Sequence, residues 1–246
     1  MSLLPDLTHR VALVTGGSRG IGAAVALALA EAGADVAVNY RSRADEANEV
    51  CDAIRAKGRR AMAVGADVSQ SAAVKELVDK VAAELGAVDV LVNNAGIAPV
   101  RGLDELSEAE FDETLAVNLK SAFLCTQAVL PGMRSRHWGR IVNISSVAAR
   151  SGGVVGVHYN ASKAGLEGLT RAYAARLVKE GVTANAVAPG PIDTEMAAPL
   201  RERFAQIVPM GRLGAADEVA EAVLMVIGNG YMTGQTIELS GGLHFI

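Results

Sequence analysis

The 246-residue sequence predicts an α/β fold: one doubly wound parallel sheet of about seven strands, covered by helices on both faces. Three observations carry this expectation. Apolar runs of strand length alternate with helix-length amphipathic stretches from end to end. Half of the residues are hydrophobic but only 4% are aromatic, so Val, Ile, Leu and Ala must fill the core, as suits a parallel sheet under Ala-rich helices. No low-complexity stretch or break in composition divides the chain, which places residues 1–246 in a single domain.

The elements follow in order. Residues 10–15 (RVALVT) read as a buried strand and 21–32 as an Ala-rich helix ended by Gly33. A second strand spans 35–40, and a helix over 44–57 stops at Gly58. The third strand is 60–66, followed by a helix over 71–85, and the fourth strand is 88–92. Ser107, with Glu110 three residues on, forms a capping box that opens a long helix ending near Pro131. Strand five is 140–144, a helix covers 159–180 and strand six is 183–187. A helix over 217–227 and a short strand at 236–239 close the chain. Pro189, Pro191, Pro199 and Pro209 crowd the region after strand six, which reads as a long functional loop.

Composition excludes several classes of function. A net charge of −4 argues against a nucleic-acid partner. Cys51 and Cys125 are too few and too far apart for a disulfide framework, and read as buried free thiols. His9, His137, His158 and His244 show no metal-ligand spacing, so no metal is expected. Residues 1–10 lack a signal-peptide pattern, and no run approaches the ~18 apolar residues that span a bilayer. The expected setting is cytoplasmic, with no membrane partner.

The first strand runs into Thr15-Gly16-Gly17-Ser18-Arg19-Gly20-Ile21-Gly22. Glycines make the turn tight and let a pyrophosphate approach the backbone. The helix that begins there points free N–H groups at the phosphates. A strand before and a helix after make this the dinucleotide-binding turn of a Rossmann-type sheet. Tyr159 and Lys163 stand four apart on one face of a helix. An ammonium ~4 Å from a phenol favours the phenolate by up to ~4 kcal/mol at an effective dielectric near 20. That is enough to tune the phenol for proton transfer at neutral pH.

Together these motifs resemble the short-chain dehydrogenase/reductase family over essentially the whole chain. The spacing is TGxxxGxG. Asn93-Asn94-Ala95-Gly96, Asn118, Ser146, Tyr159-xxx-Lys163 and Pro189-Gly190 stand in that family's order. The resemblance implies that Tyr159 gives a proton to a carbonyl oxygen as hydride arrives from nicotinamide. It implies that Ser146 hydrogen-bonds that oxygen, and that Lys163 lowers the Tyr159 pKa and binds the nicotinamide ribose. Asn118 would hold a water that links Lys163 to solvent. Ser145 is read as structural. Cofactor contacts are implied for Gly16, Ser18, Arg19, Gly20, Ile21, Gly22, Asp67, Val68, Asn94, Gly96, Pro189, Ile192 and Thr194.

Cofactor choice turns on the end of strand two, which reads Asn39-Tyr40-Arg41-Ser42 and lacks the carboxylate that an NAD site places there. Arg41 and Ser42, with Arg19, point to the 2′-phosphate of NADP(H). Within the family the segments VALVTGGSRGIG, VNLKSAF, GRIVNISSV, NASKAGL and TGQTIELSGGLHFI are similar to the 3-oxoacyl-acyl-carrier-protein reductase branch, an enzyme of fatty acid metabolism. The chain departs from that branch in a short lid over 196–208, a short 228–231 segment, and Glu180 where a basic residue is expected. Arg134, Arg136 and Arg140 form a basic group near strand five, and Arg201 and Arg203 lie in the lid. The expected substrate is a small carbonyl compound or alcohol, 3-oxoacyl thioesters foremost, without an absolute need for a carrier protein. Alternatives are a short-chain alcohol, ketone or sugar dehydrogenase of the same family and, in another class, a non-catalytic NADP(H) sensor. A homotetramer is implied by the family, and the helix after Tyr159 is apolar over much of its circumference.

Overall fold

A computed structural model describes residues 5–245; residues 1–4 of the N-terminal segment and the final Ile246 lie outside the described residues. The strands are β1 (Val11–Val14), β2 (Asp35–Tyr40), β3 (Ala61–Gly65), β4 (Val90–Asn93), β5 (Gly139–Ile144), β6 (Val182–Pro189) and β7 (Thr236–Leu239). All neighbours pair in parallel in the order β3-β2-β1-β4-β5-β6-β7. The helices are α1 (Gly20–Glu31), α2 (Ala44–Ala56), α3 (Ser71–Glu84), α4 (Glu108–Leu115), α5 (Ser121–Ser135), α6 (Val157–Leu177), α7 (Arg201–Ile207) and α8 (Ala216–Gly228).

Strand alternation sends successive side chains into two separate cores. Ala12 and Val14 of β1, Val90 and Val92 of β4, and Val142 and Ile144 of β5 pack with α1, α2 and α8. Val11 and Leu13, Leu91, and Ile141 pack on the other face with α3, α5 and α6. Both faces of each central strand are therefore apolar, which is why these strands read as continuous hydrophobic runs. The order in which strands are added switches sides between β1 and β4, which opens a crevice at their carboxyl ends.

Three features depart from the sequence expectation. The helix begun by the Ser107 capping box contains a π-helical segment, Ala116–Lys120, with Asn118 at its centre. Secondly, helical structure passes through Pro131 to Ser135. Pro131 removes one backbone donor, but Leu130 and Met133 on either side are buried in the core and hold the last turn. Thirdly, the Pro-rich loop carries short helical structure, Glu195–Leu200 and then α7. Among the described residues, no helix is long and apolar enough to cross a membrane.

Candidate active site

The catalytic and cofactor-contacting residues expected from the sequence fall at the carboxyl end of the sheet. Gly16, Ser18, Arg19, Gly20, Ile21 and Gly22 form the turn from β1 into α1; Arg41 and Ser42 follow β2; Asp67 and Val68 follow β3; Asn94 and Gly96 follow β4. Ser146 follows β5, Tyr159 and Lys163 stand in the first two turns of α6, and Pro189, Ile192 and Thr194 mark the end of β6 and the chain beyond it.

The glycine turn is held from three sides. Thr15 Oγ1 accepts hydrogen bonds from the backbone of Asn94 and Ala95, both at 3.0 Å. Asn94 Nδ2 donates to the carbonyls of Thr15 and Gly16 at 3.0 and 2.9 Å. Asn39, which the sequence reading passed over, accepts from the Gly16 amide and donates to Val64 and Ala66 of the neighbouring strand segment. Gly16 has φ +61°, and a Cβ on Gly22 would collide with the Gly16 carbonyl and lie 2.5 Å from Asn94 Nδ2. The turn therefore admits only glycine at these two points. At the start of α1, Arg19 makes no side-chain cap and the first turn carries no acidic residue. The leading amides of α1 are thus left for an anion. This cradle fits the phosphate arm of a dinucleotide, which Arg19, Gly20, Ile21 and Gly22 would hold.

The Asp67 carboxylate accepts from the Ser69 amide and hydroxyl at 2.9 and 2.7 Å, capping its turn. Burial pushes its pKa up, but the Ser69 hydrogen bonds and the charge of Arg41 outweigh this and hold it below the ordinary value. Arg41 therefore lies on the Asp67 side of the crevice. Arg43, two residues on and not singled out from the sequence, forms ion pairs with Glu46 at 2.5 Å and with Glu195 of the lid at 3.5 Å. Glu195 also pairs with Arg19.

At the other end of the crevice, the Lys163 ammonium donates to the Ile144 carbonyl at 2.8 Å. It lies 5.7 Å from the Tyr159 ring centroid. Burial pushes its pKa down to about 8. The Tyr159 phenol is also shifted by burial, upward, while its hydrogen bond with Ser146 acts the other way. The sequence argument had Lys163 lowering Tyr159 at close range; in this geometry the ammonium is drawn to the end of β5 instead. Asn118 is buried and held on three sides. Its Oδ1 accepts from the Ile97 amide at 2.8 Å, and its Nδ2 donates to the Ile97 carbonyl at 2.9 Å and to Ser162 Oγ at 3.1 Å. The π-helical segment delivers Asn118 to this position, beside the segment that follows β4. A Cβ on Gly96 would sit 3.3 Å from Asn118 Oδ1 and 3.7 Å from Lys163 Nζ, so Gly96 leaves these two polar groups facing one another.

Ser145 is occupied elsewhere: its hydroxyl donates to the Lys163 carbonyl at 3.2 Å and lies 3.5 Å from Glu167 Oε1. Glu167 is buried and takes Arg150 at 3.0 Å. This Ser145–Glu167–Arg150 set braces the segment that carries Ser146. Sequence patterning gave no sign of it, because each member looks like an ordinary helix or loop residue.

Of the basic residues near β5 and in the lid, four are engaged within the chain. Arg134 pairs with Glu180, and Arg136 pairs with Asp89 at 3.1 Å. Arg140 stacks on Trp138 at 4.5 Å and donates to the Ile227 carbonyl. In the lid, Arg201 pairs with Asp193. Among the described residues, no group of three or more His, Cys, Asp or Glu is placed to hold a metal ion.

Comparison with known proteins agrees with this layout. The short chain dehydrogenase family model matches residues 10–204. A 3-oxoacyl-[acyl-carrier-protein] reductase FabG of Staphylococcus epidermidis is 40% identical over 242 residues, covering 96% of this chain and 99% of that one. An acetoacetyl-CoA reductase of Shinella zoogloeoides is 43% identical over 245 residues, covering 96% and 99%. The crystal structure of a short chain dehydrogenase from Burkholderia cenocepacia J2315 in complex with NADP superposes with a TM-score of 0.90 at 40% identity, covering 97% and 99%. A family match over most of its length and relatives at 40% identity or more along nearly the whole chain show that the chain belongs to the short-chain dehydrogenase/reductase family.

Proposed function

We propose that the protein is an NADPH-dependent carbonyl reductase acting on 3-oxoacyl thioesters. The observation that carries the reading is the convergence of Ser146, Tyr159, Lys163 and Asn118 at one end of a crevice whose other end is a phosphate cradle rimmed by arginines. A nicotinamide held beside Pro189, Ile192 and Thr194 would supply hydride to the carbonyl carbon. Ser146 and Tyr159 hydrogen-bond the carbonyl oxygen and stabilise the charge that develops there. Tyr159 donates its proton to that oxygen. Lys163 returns a proton toward the phenol and binds the nicotinamide ribose, and Asn118 holds a water that links Lys163 to solvent. Gly16, Ser18, Arg19, Gly20, Ile21 and Gly22 hold the phosphates; Asp67, Val68, Asn94 and Gly96 line the nucleoside; Pro189, Ile192 and Thr194 hold the carboxamide end. Arg41, Ser42 and Arg43, which follow β2 where no carboxylate stands, and Arg19 from the glycine turn favour NADP(H).

The thioester class is supported by the 3-oxoacyl and acetoacetyl-CoA reductases among the relatives. Carrier protein is not required on this reading. The basic residues that an acidic carrier would seek are already paired, Arg134 with Glu180 itself. Measuring kcat/KM for one acetoacetyl group on carrier protein, CoA and N-acetylcysteamine tests this. Turnover on the small thiols is expected, with a carrier advantage below about a hundredfold, or about 2.7 kcal/mol. A larger advantage would mark a dedicated carrier-protein enzyme. Reduction of simple ketones alone would mark an alcohol or ketone dehydrogenase, and NADPH binding without turnover of any carbonyl would mark a sensor.

A homotetramer in the cytoplasm is part of the same reading. Leu166, Tyr173 and Leu177 of α6 face the core, while Ala161, Ala164 and Ala175 are exposed on its far side. Leu115, Leu119, Phe123, Leu169 and Ala172 line an adjoining apolar groove. Phe123 is 44% exposed, and a Cβ on Gly168 would touch nothing, so another helix has room to approach. Light scattering at micromolar concentration is expected to give four times the chain mass. A monomer mass would refute it, and Phe123→Glu is expected to lower the mass in solution.

A further inference from the structure

We propose that Glu195 is a cofactor-selectivity residue: its carboxylate takes the position between Arg19 and Arg43 that a 2′-phosphate would take, so that binding of NADP(H) displaces it. The inference rests on the NADP(H) reading above and extends it to a residue of the lid. Three elements distant in sequence meet here. Arg19 comes from the β1–α1 turn, Arg43 precedes α2, and Glu195 opens the 3₁₀ segment Glu195–Leu200 beyond β6. Both guanidiniums reach the same carboxylate. Arg43 is held as well by Glu46, on its own helix. Two guanidiniums against two carboxylates leave this corner without net charge while Glu195 is seated. Once Glu195 leaves, the corner carries one unit of positive charge, with Arg43 still anchored by Glu46, and a phosphate dianion satisfies both guanidiniums better than one carboxylate.

The contact is exposed: the Glu195 side chain is 64% accessible. An exposed ion pair is weak, so the latch is expected to reduce apparent affinity only modestly. It acts selectively, because a ligand that lacks a 2′-phosphate has no need to displace it. Glu195 also heads the lid, where Arg201 pairs back to Asp193. The exchange of carboxylate for phosphate therefore frees the first residue of the segment that covers the substrate crevice.

Calorimetric titration of the whole protein with adenosine 2′,5′-bisphosphate and with 5′-AMP separates the possibilities without turnover. Wild type is expected to prefer the bisphosphate. Glu195→Gln is expected to tighten bisphosphate binding about two- to fivefold, the range set by one exposed ion pair, and to leave 5′-AMP unchanged. Glu202→Gln, an equal change of charge on exposed α7, is expected to change neither. If wild type binds both nucleotides equally, the NADP(H) reading falls and the inference with it. If wild type keeps its preference but Glu195→Gln binds the bisphosphate no better, or worse, the inference alone is overturned, and Glu195 then orients the arginines or does nothing to them. Equal tightening by Glu202→Gln overturns it in favour of net charge.

Discussion

Tyr159→Phe is expected to lower turnover by about 10²–10⁴-fold, the range associated with loss of a positioned acid–base group, while NADPH still binds. The phenyl ring keeps the shape of the first turn of α6, so packing against Lys163 and the β5 end is preserved. What is lost is the one proton at the carbonyl oxygen. Water in the crevice is a poorly placed substitute for a phenol already hydrogen-bonded with Ser146. The check is NADPH oxidation with the preferred keto substrate, run beside a fluorescence titration of NADPH. A residual rate above about a tenth of wild type, against that expected range, removes Tyr159 from the proton-donor role. Loss of NADPH binding in parallel shows instead that the ring supports the cofactor crevice.

Lys163→Ala is expected to damage both turnover and NADPH affinity, because the proposed mechanism assigns one ammonium both to the proton path and to the cofactor ribose. Its pKa gives the prediction a second readout. Burial lowers the ammonium from its ordinary range to about 8, so the charged form prevails below pH 8 and is lost above it. A reductase that uses the charge is therefore expected to lose rate as pH rises through about 8, well before an ordinary lysine would titrate. Lys163→Arg carries a guanidinium that stays charged over the accessible range. Whatever activity it retains is expected to lack that alkaline limb. A limb that persists unchanged in Lys163→Arg assigns the titration to another group.

The fold was legible because the forces that set it are written locally. Val11 to Val14 and Val90 to Val92 are apolar on both faces, and a strand of that kind has its place only inside a covered parallel sheet. The crevice was legible for the same reason: the glycines of the β1–α1 turn and the Tyr159–Lys163 spacing are short-range signals. What escaped the reading depends on contacts distant in sequence. The π-helical segment at Asn118 is stabilised by Ile97 and Ser162, 21 and 44 residues away. Pro131 signals a helix end, and buried Leu130 and Met133 override it. Arg43, Glu195, Glu167 and Arg150 carry no local pattern, since a charged residue reveals its partner only when the chain has folded. Glu180 was noticed as an oddity of charge, but its pairing with Arg134 was not visible.

The two cysteines bear on the chemistry in another way. Burial pushes the Cys51 thiol up to about 11 and the Cys125 thiol up to about 12. At neutral pH only about one Cys51 in ten thousand is a thiolate, and fewer for Cys125, and the thiolate is the reactive form. A protein that handles activated acyl thioesters faces a side reaction in which its own sulfur takes the acyl group. Here both sulfurs are enclosed in the sheet–helix cores, protonated and away from the crevice. For the proposed thioester substrate, the packing that builds the fold thereby protects both cysteines from transacylation.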